Sequence, residues 1–213
     1  MKKIAIAAIV IGFGFSQVNA QIFIQNIKDH LSGGMKSEAN MSQFLVSELP
    51  DTKSKMHIGG TLGGFVKLDL VEHLALQEEL LVHYKTSTIE QVGIKSDYQY
   101  WGIEIPFYVM GQWKMSKGER FYIGIGPYGE FGISAKYNIQ GQKIDLYKKD
   151  ETTGNAIMKR FMMGYGAIIG YEFSNGIQMN AGYKIGIANA LDTGNDKASM
   201  SPSTVSFGIG YHF

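Results

Sequence analysis

The chain has 213 residues, enough for one domain, and its 20 Lys+Arg against 19 Asp+Glu leave it close to neutral. That balance argues against a bulk electrostatic nucleic-acid partner. The chain has no cysteine, which excludes a disulfide framework, a thiolate metal site and a Cys nucleophile; 27 Gly, 12 Tyr and 12 Phe beside only 4 Pro suit a large β-structure.

Lys2 and Lys3 precede an apolar run over 4–15, and Val18-Asn19-Ala20 ends on the small residue that a signal peptidase prefers. The run holds about a dozen residues against the roughly 20 that a spanning helix needs. Residues 1–20 therefore read as a Sec-type export signal cleaved near Ala20, and 21–213 as the mature domain. Residues 21–28 read as a short periplasmic lead-in. No later stretch is long and apolar enough for a membrane helix, and the mean hydropathy is -0.07. A membrane β-barrel escapes hydropathy in this way, because its apolar signal alternates instead of accumulating.

Period-two patterning predicts eight strands, over 29–40, 56–70, 74–84, 98–115, 121–137, 158–173, 177–188 and 202–213. The fourth puts Trp101, Ile103, Ile105, Phe107, Val109 and Trp113 on one face. The sixth does the same with Phe161, Met163, Tyr165, Ala167, Ile169, Tyr171 and Phe173, against Gly164, Gly166, Gly170 and Glu172. Connections 71–73, 116–120 and 174–176 are tight. Connections 41–55, 85–97, 138–157 and 189–201 are longer and polar. Short turns at one rim and long loops at the other are the outer-membrane pattern. The last strand carries Phe207, Ile209, Tyr211 and Phe213 on one face and stops on an aromatic residue. That end resembles the closing strand of a bacterial outer-membrane barrel, which the insertion machinery reads.

Eight amphipathic strands also fit a soluble lipocalin-like barrel with its apolar face inward. The polar face decides for lipid. It is crowded with glycine, a poor strand former on a wet surface but a fitting one inside a narrow bore. The apolar face meanwhile carries aromatics near strand ends, as interfacial girdles do. The lumen then holds Lys67, Asp69, Glu79, Glu104, Glu130, Lys136, Glu172 and Lys184. Such charges serve either as a proton or ion path or as a structural network that fills the barrel. An eight-stranded bore is only just wide enough for side chains, which favours the network and disfavours a general porin.

Several segments resemble one family. Asn40-Met41-Ser42 looks like its Asn-Leu-Ser segment. LALQEELLVHYK (74–85) resembles a strand with an inward Glu at the position of Glu79. YWGIEIPFYVMGQW (100–113), FYIGIGPYGEFGIS (121–134) and the hairpin over 160–190 are similar to its later strands, and VSFGIGYHF to its closing strand. The family is the PorT-like outer-membrane β-barrel domain of Bacteroidota. The resemblance implies an eight-stranded antiparallel transmembrane barrel in the outer membrane and allows a role as an accessory of protein secretion. Glu78 departs from it: the family often has Pro there, and alternation turns Glu78 outward. It must sit near the periplasmic rim or be re-aimed by a bulge.

Catalysis would need a His beside Ser or a carboxylate. His57 and His83 lie near the outer ends of adjacent strands, where they could approach each other and bind a metal. The chain has no phosphate-binding loop, HExxH pair or EF-hand loop, so no catalytic residue, metal or cofactor is assigned. The loop over 137–156 is the candidate contact surface, with Tyr147 as its anchor. The expected partners are outer-membrane lipid, the barrel-insertion machinery, and secretion or envelope proteins. The function that follows is a non-enzymatic structural or interaction role in the cell envelope. The alternatives are a secretion accessory and a lipid-modifying enzyme or small-solute channel.

Overall fold

A computed structural model describes residues 30–139, 141–149, 156–192 and 198–213. The expected signal at 1–20 and the lead-in at 21–28 lie outside the described residues. The described residues form nine strands in order: β1 (Leu31–Ser47), β2 (Thr52–Val71), β3 (Leu74–Gln91), β4 (Ile94–Lys114), β5 (Arg120–Ile139), β6 (Gln142–Asp145), β7 (Phe161–Glu172), β8 (Ile177–Gly186) and β9 (Ser199–His212). Eight of them form an antiparallel sheet in the order β4-β3-β2-β1-β9-β8-β7-β5, and a β4–β5 pairing closes it into a ring. The short β6 folds back on the outer end of β5.

The register fixes the geometry of the ring. Starting at Trp113 and stepping across partners gives Phe121, Tyr171, Met179, Ile209, Ser37, Leu62, Val82 and finally Ile103, ten residues further along β4. With a strand spacing near 4.8 Å and a rise near 3.3 Å, that stagger tilts the strands by about 40°. Each residue then climbs about 2.5 Å along the barrel axis. Trp101 and Trp113, on the outward face of β4 and 48% and 46% exposed, are therefore about 30 Å apart in height, the thickness of a bilayer core. Tyr84 and Phe131 flank the upper tryptophan, and Phe121, Tyr171 and Tyr211 lie near the lower one. Between these girdles the outward face is mostly Ile, Leu, Val, Met and Phe, with Glu78 as its one Asp, Glu, Lys or Arg side chain among the described residues.

The wall is uneven, with 18 to 21 residues in β2 to β5 against 12 in β7 and 10 in β8. The expected long loops at 41–55 and 85–97 are instead mostly strand. β1 meets β2 through a short turn in which Glu48 and Asp51 have φ of 53°, and β3 meets β4 through Val92 and Gly93, with φ of 49° and 79°. Above the membrane the outward face of a strand meets water instead of lipid, so the apolar alternation that marks a strand fades from the sequence while the ladder of backbone hydrogen bonds continues.

Candidate functional site

The inward face of the barrel is filled in tiers. At the periplasmic rim Lys67 lies 3.5 Å and Arg120 3.9 Å from the Asp69 carboxylate, and Gln112 donates to it at 2.9 Å. Beside them Gln178 donates to Glu172 at 2.7 Å, and the His212 ring lies 3.0 Å from the same oxygen. Above the rim is a tier of Ala75, Tyr108, Met110, Tyr122 and Ile168. The bore accommodates these rings because glycine faces them: a Cβ on Gly170 would collide with the Tyr122 ring.

The central tier is ionic. From β1, Lys36 bonds Glu79 at 3.0 and 3.1 Å and lies 2.7 Å from Glu38. Gln77 donates to Glu79 at 2.7 Å. Lys184 from β8 bonds Glu104 of β4, whose other oxygen lies 3.1 Å from His83 Nε2 and 3.8 Å from Lys85. Lys85 also bonds both oxygens of Glu130 from β5, at 2.7 and 2.9 Å. Thr61 receives a hydrogen bond from Asn40 at 2.9 Å and contacts His83 Nδ1 at 2.8 Å. Three ammonium groups and an imidazole thus meet four carboxylates, Glu104 being fully buried. Burying such charges is tolerable only with this degree of pairing. His83, Glu104 and Glu130 have ligand-type atoms within 4.8 Å of one another, but the carboxylates already hold Lys85 and Lys184.

An apolar cap closes the outer mouth. Phe44, Tyr98, Tyr100, Met162 and Met200 of the strands pack with Leu146, Tyr147, Met158 and Ala190 of the returning loops. Backbone bonds hold the loops down, Leu146 N donating to Ala135 O at 2.9 Å and Lys159 N to Ala190 O at 2.9 Å. Tyr147 is only 6% exposed. The Arg160 guanidinium lies 4.4 Å from its ring centroid and donates to the carbonyls of Gly132 and Ile133. Its hydroxyl fills the space a Cβ on Gly132 would need. Burial pushes the Tyr147 phenol up to about 12. Between cap and ionic tier lies a cavity of about 20 Å³, the size of one water.

Several sequence expectations sort out against this geometry. Glu79, Glu104, Glu130 and Lys184 join the central tier, and Lys67, Asp69 and Glu172 the rim. Lys136 does not enter the lumen. Trp101 pairs with Ser134 and Gly102 with Gly132, so Ile133 is an extra residue in β5. This bulge reverses the alternation beyond it and turns Lys136 out. Tyr147 is a cap residue, not an exposed anchor. His57 and His83 do not meet. His57 sits in the β2 bulge between Met56 and Gly60, exposed, with Nε2 2.9 Å from Thr88, while His83 is buried in the lumen. Phe207, Ile209, Tyr211 and Phe213 all project outward from β9 and the residue after it. The sequence reading missed Lys36, Glu38 and Lys85. Alternation carried on from Glu79 reaches His83 and Lys85, and alternation back from Asn40 reaches Glu38 and Lys36.

A closed ring with an apolar outside, two aromatic girdles and a charged inside is a transmembrane β-barrel of the outer-membrane type. The chain belongs to the outer membrane protein beta-barrel domain family, which it matches over residues 15–192, and its location is the outer membrane. Similar solved structures include OprG from Pseudomonas aeruginosa, at 10% identity and a TM-score of 0.50 over 86% of this chain and 94% of that one. Neisserial surface protein A is similar at 12% identity and a TM-score of 0.47, over 85% and 97%. No curated protein matches the chain by sequence.

Proposed function

We propose that this barrel acts as a non-enzymatic structural or interaction protein of the cell envelope, working through its surfaces and not its bore. The observation that carries this reading is the filled lumen: a paired ionic tier lies between an aromatic tier below and an apolar cap above. An eight-stranded barrel filled in this way has no path for solute. Its interaction surfaces are the outer rim built by β1 to β5 and the outward wall. The resemblance of its strand motifs to those of PorT-like proteins allows an alternative, an accessory of protein secretion. That alternative predicts loss of exported proteins on deletion of the gene. The reading is tested in planar bilayers, where the purified barrel is expected to give no stable conductance steps. Regular single-channel steps would overturn it in favour of a pore.

A further inference from the structure

Glu78 is the one Asp, Glu, Lys or Arg side chain, among the described residues, that the barrel turns toward lipid between its girdles. No bulge re-aims it. Its neighbours Gln77 and Glu79 are buried in the lumen, and the pairings from Val66↔Glu78 to Phe65↔Glu79 and from Glu78↔Phe107 to Leu81↔Glu104 run without a register shift. Nor does it sit at the rim. Its partner Phe107 is six residues from Trp113 and six from Trp101, and the strand tilt sets Glu78 about 3 Å lower, so about 12 Å above the lower girdle along the axis. That is deeper than a glutamate side chain can snorkel out of. An ionisable residue kept at this depth marks a functional contact by default.

The wall around Glu78 is shaped for contact. Val66 pairs with Glu78, Gly64 is the next outward residue of β2, and Ser37 is the next outward residue of β1 above Met35, the partner of Gly64. Glu78, Gly64 and Ser37 thus form a diagonal that the strand tilt brings close to one height. Ser37 also opens onto an outward groove of about 610 Å³ that continues over β9, β8 and β7. A carboxylate and a hydroxyl with a glycine between them, at mid-depth, suit a protein surface better than acyl chains.

We propose that Glu78 anchors a lateral contact with a different membrane-embedded protein, whose facing surface supplies a Lys or Arg side chain at the same depth. A second copy of this chain cannot do so. Among the described residues its own cations between the girdles, Lys36, Lys85 and Lys184, and Lys67 at the lower rim, are all buried in the lumen. The inference rests on the interaction role proposed above and gives that role a site and a partner chemistry.

The test places a benzophenone amino acid at Leu80, two residues along the same face of β3, in the full chain in native outer membranes, with Tyr165 on β7 as control. The expected result is a discrete protein adduct from position 80 only. It should map to a membrane-embedded segment bearing Lys or Arg and fall at least ten-fold in Glu78→Leu. Adducts with lipid alone, with a second copy, equally from Tyr165, or persisting in Glu78→Leu would overturn the proposal. A second measurement excludes a merely structural role. In pure-lipid vesicles Glu78→Leu should unfold at the same or higher urea concentration than the natural chain, and a lower midpoint would overturn the proposal. A conducting barrel that still gives the Glu78-dependent adduct would sink the sealed-barrel reading and leave this contact standing.

Discussion

Glu104 shows how the central tier is held. Its carboxylate is fully buried, and Lys184, His83 and Lys85 approach it from β8 and β3. Removing one partner of such a group strands the other in a low dielectric, which typically costs about 3–5 kcal/mol. Lys184→Met should therefore lose about 3 kcal/mol in reversible urea unfolding from lipid vesicles. The double variant Lys184→Met/Glu104→Gln should regain most of that loss, because it removes both charges. Tyr147 gives a second residue-scale prediction, with pH as the variable. Its phenol is raised from 10.0 to about 12 by burial in the cap. The neutral form is thus favoured in the closed cap, so its contribution is complete below pH 10 and is lost as pH rises through 12. Cleavage of the 141–159 loop by an alkaline-active protease should accelerate over that window in the natural chain, and less so in Tyr147→Phe.

At the scale of the strands, the most demanding turn is the one between β3 and β4. Val92 takes φ of 49° there, before Gly93 at 79°, and a β-branched residue is a poor occupant of the left-handed region. Asn-Gly is the favoured pair for a two-residue hairpin turn. Val92→Asn should stabilise the barrel by about 1 kcal/mol, read as a rise in the urea midpoint with an unchanged slope. The same hairpin shows where sequence patterning stops working. Within the bilayer one face meets lipid and the other the lumen, so β4 from Trp101 to Trp113 and all of β7 and β8 stand out in the sequence. Over Thr86-Ser87-Thr88-Ile89-Glu90 both faces are free of lipid, and strand looks like loop. The Ile133 bulge left no mark in the composition, and it alone decides that Lys136 points out. The inward charges of β4, β5 and β8 could be read from alternation against strong apolar faces. Lys36 and Glu38 were hidden because the outward face of β1 carries Met35, Ser37 and Ala39, too weak a contrast to fix the phase.

For the molecule as a whole, the tiers act as seals in series, and flow through a series of constrictions is set by the tightest one. The cap is the most easily removed, because Leu146 and Tyr147 are carried on a returning loop while the ionic and aromatic tiers are built from the wall itself. Leu146→Ala/Tyr147→Ala should open the outer mouth, making the loop near Met158 more sensitive to protease. The same variant should stay silent in planar bilayers, because Lys85, Glu130, Glu104 and Lys184 still cross-link β3, β4, β5 and β8 beneath it. Neutralising the ionic tier as well leaves Tyr108, Met110 and Tyr122 across the bore, so conductance is expected only when all three tiers are cut back. Conduction by the cap variant alone would show that the ionic tier rearranges to pass ions and is not a fixed plug. The bore would then become the place to look for function.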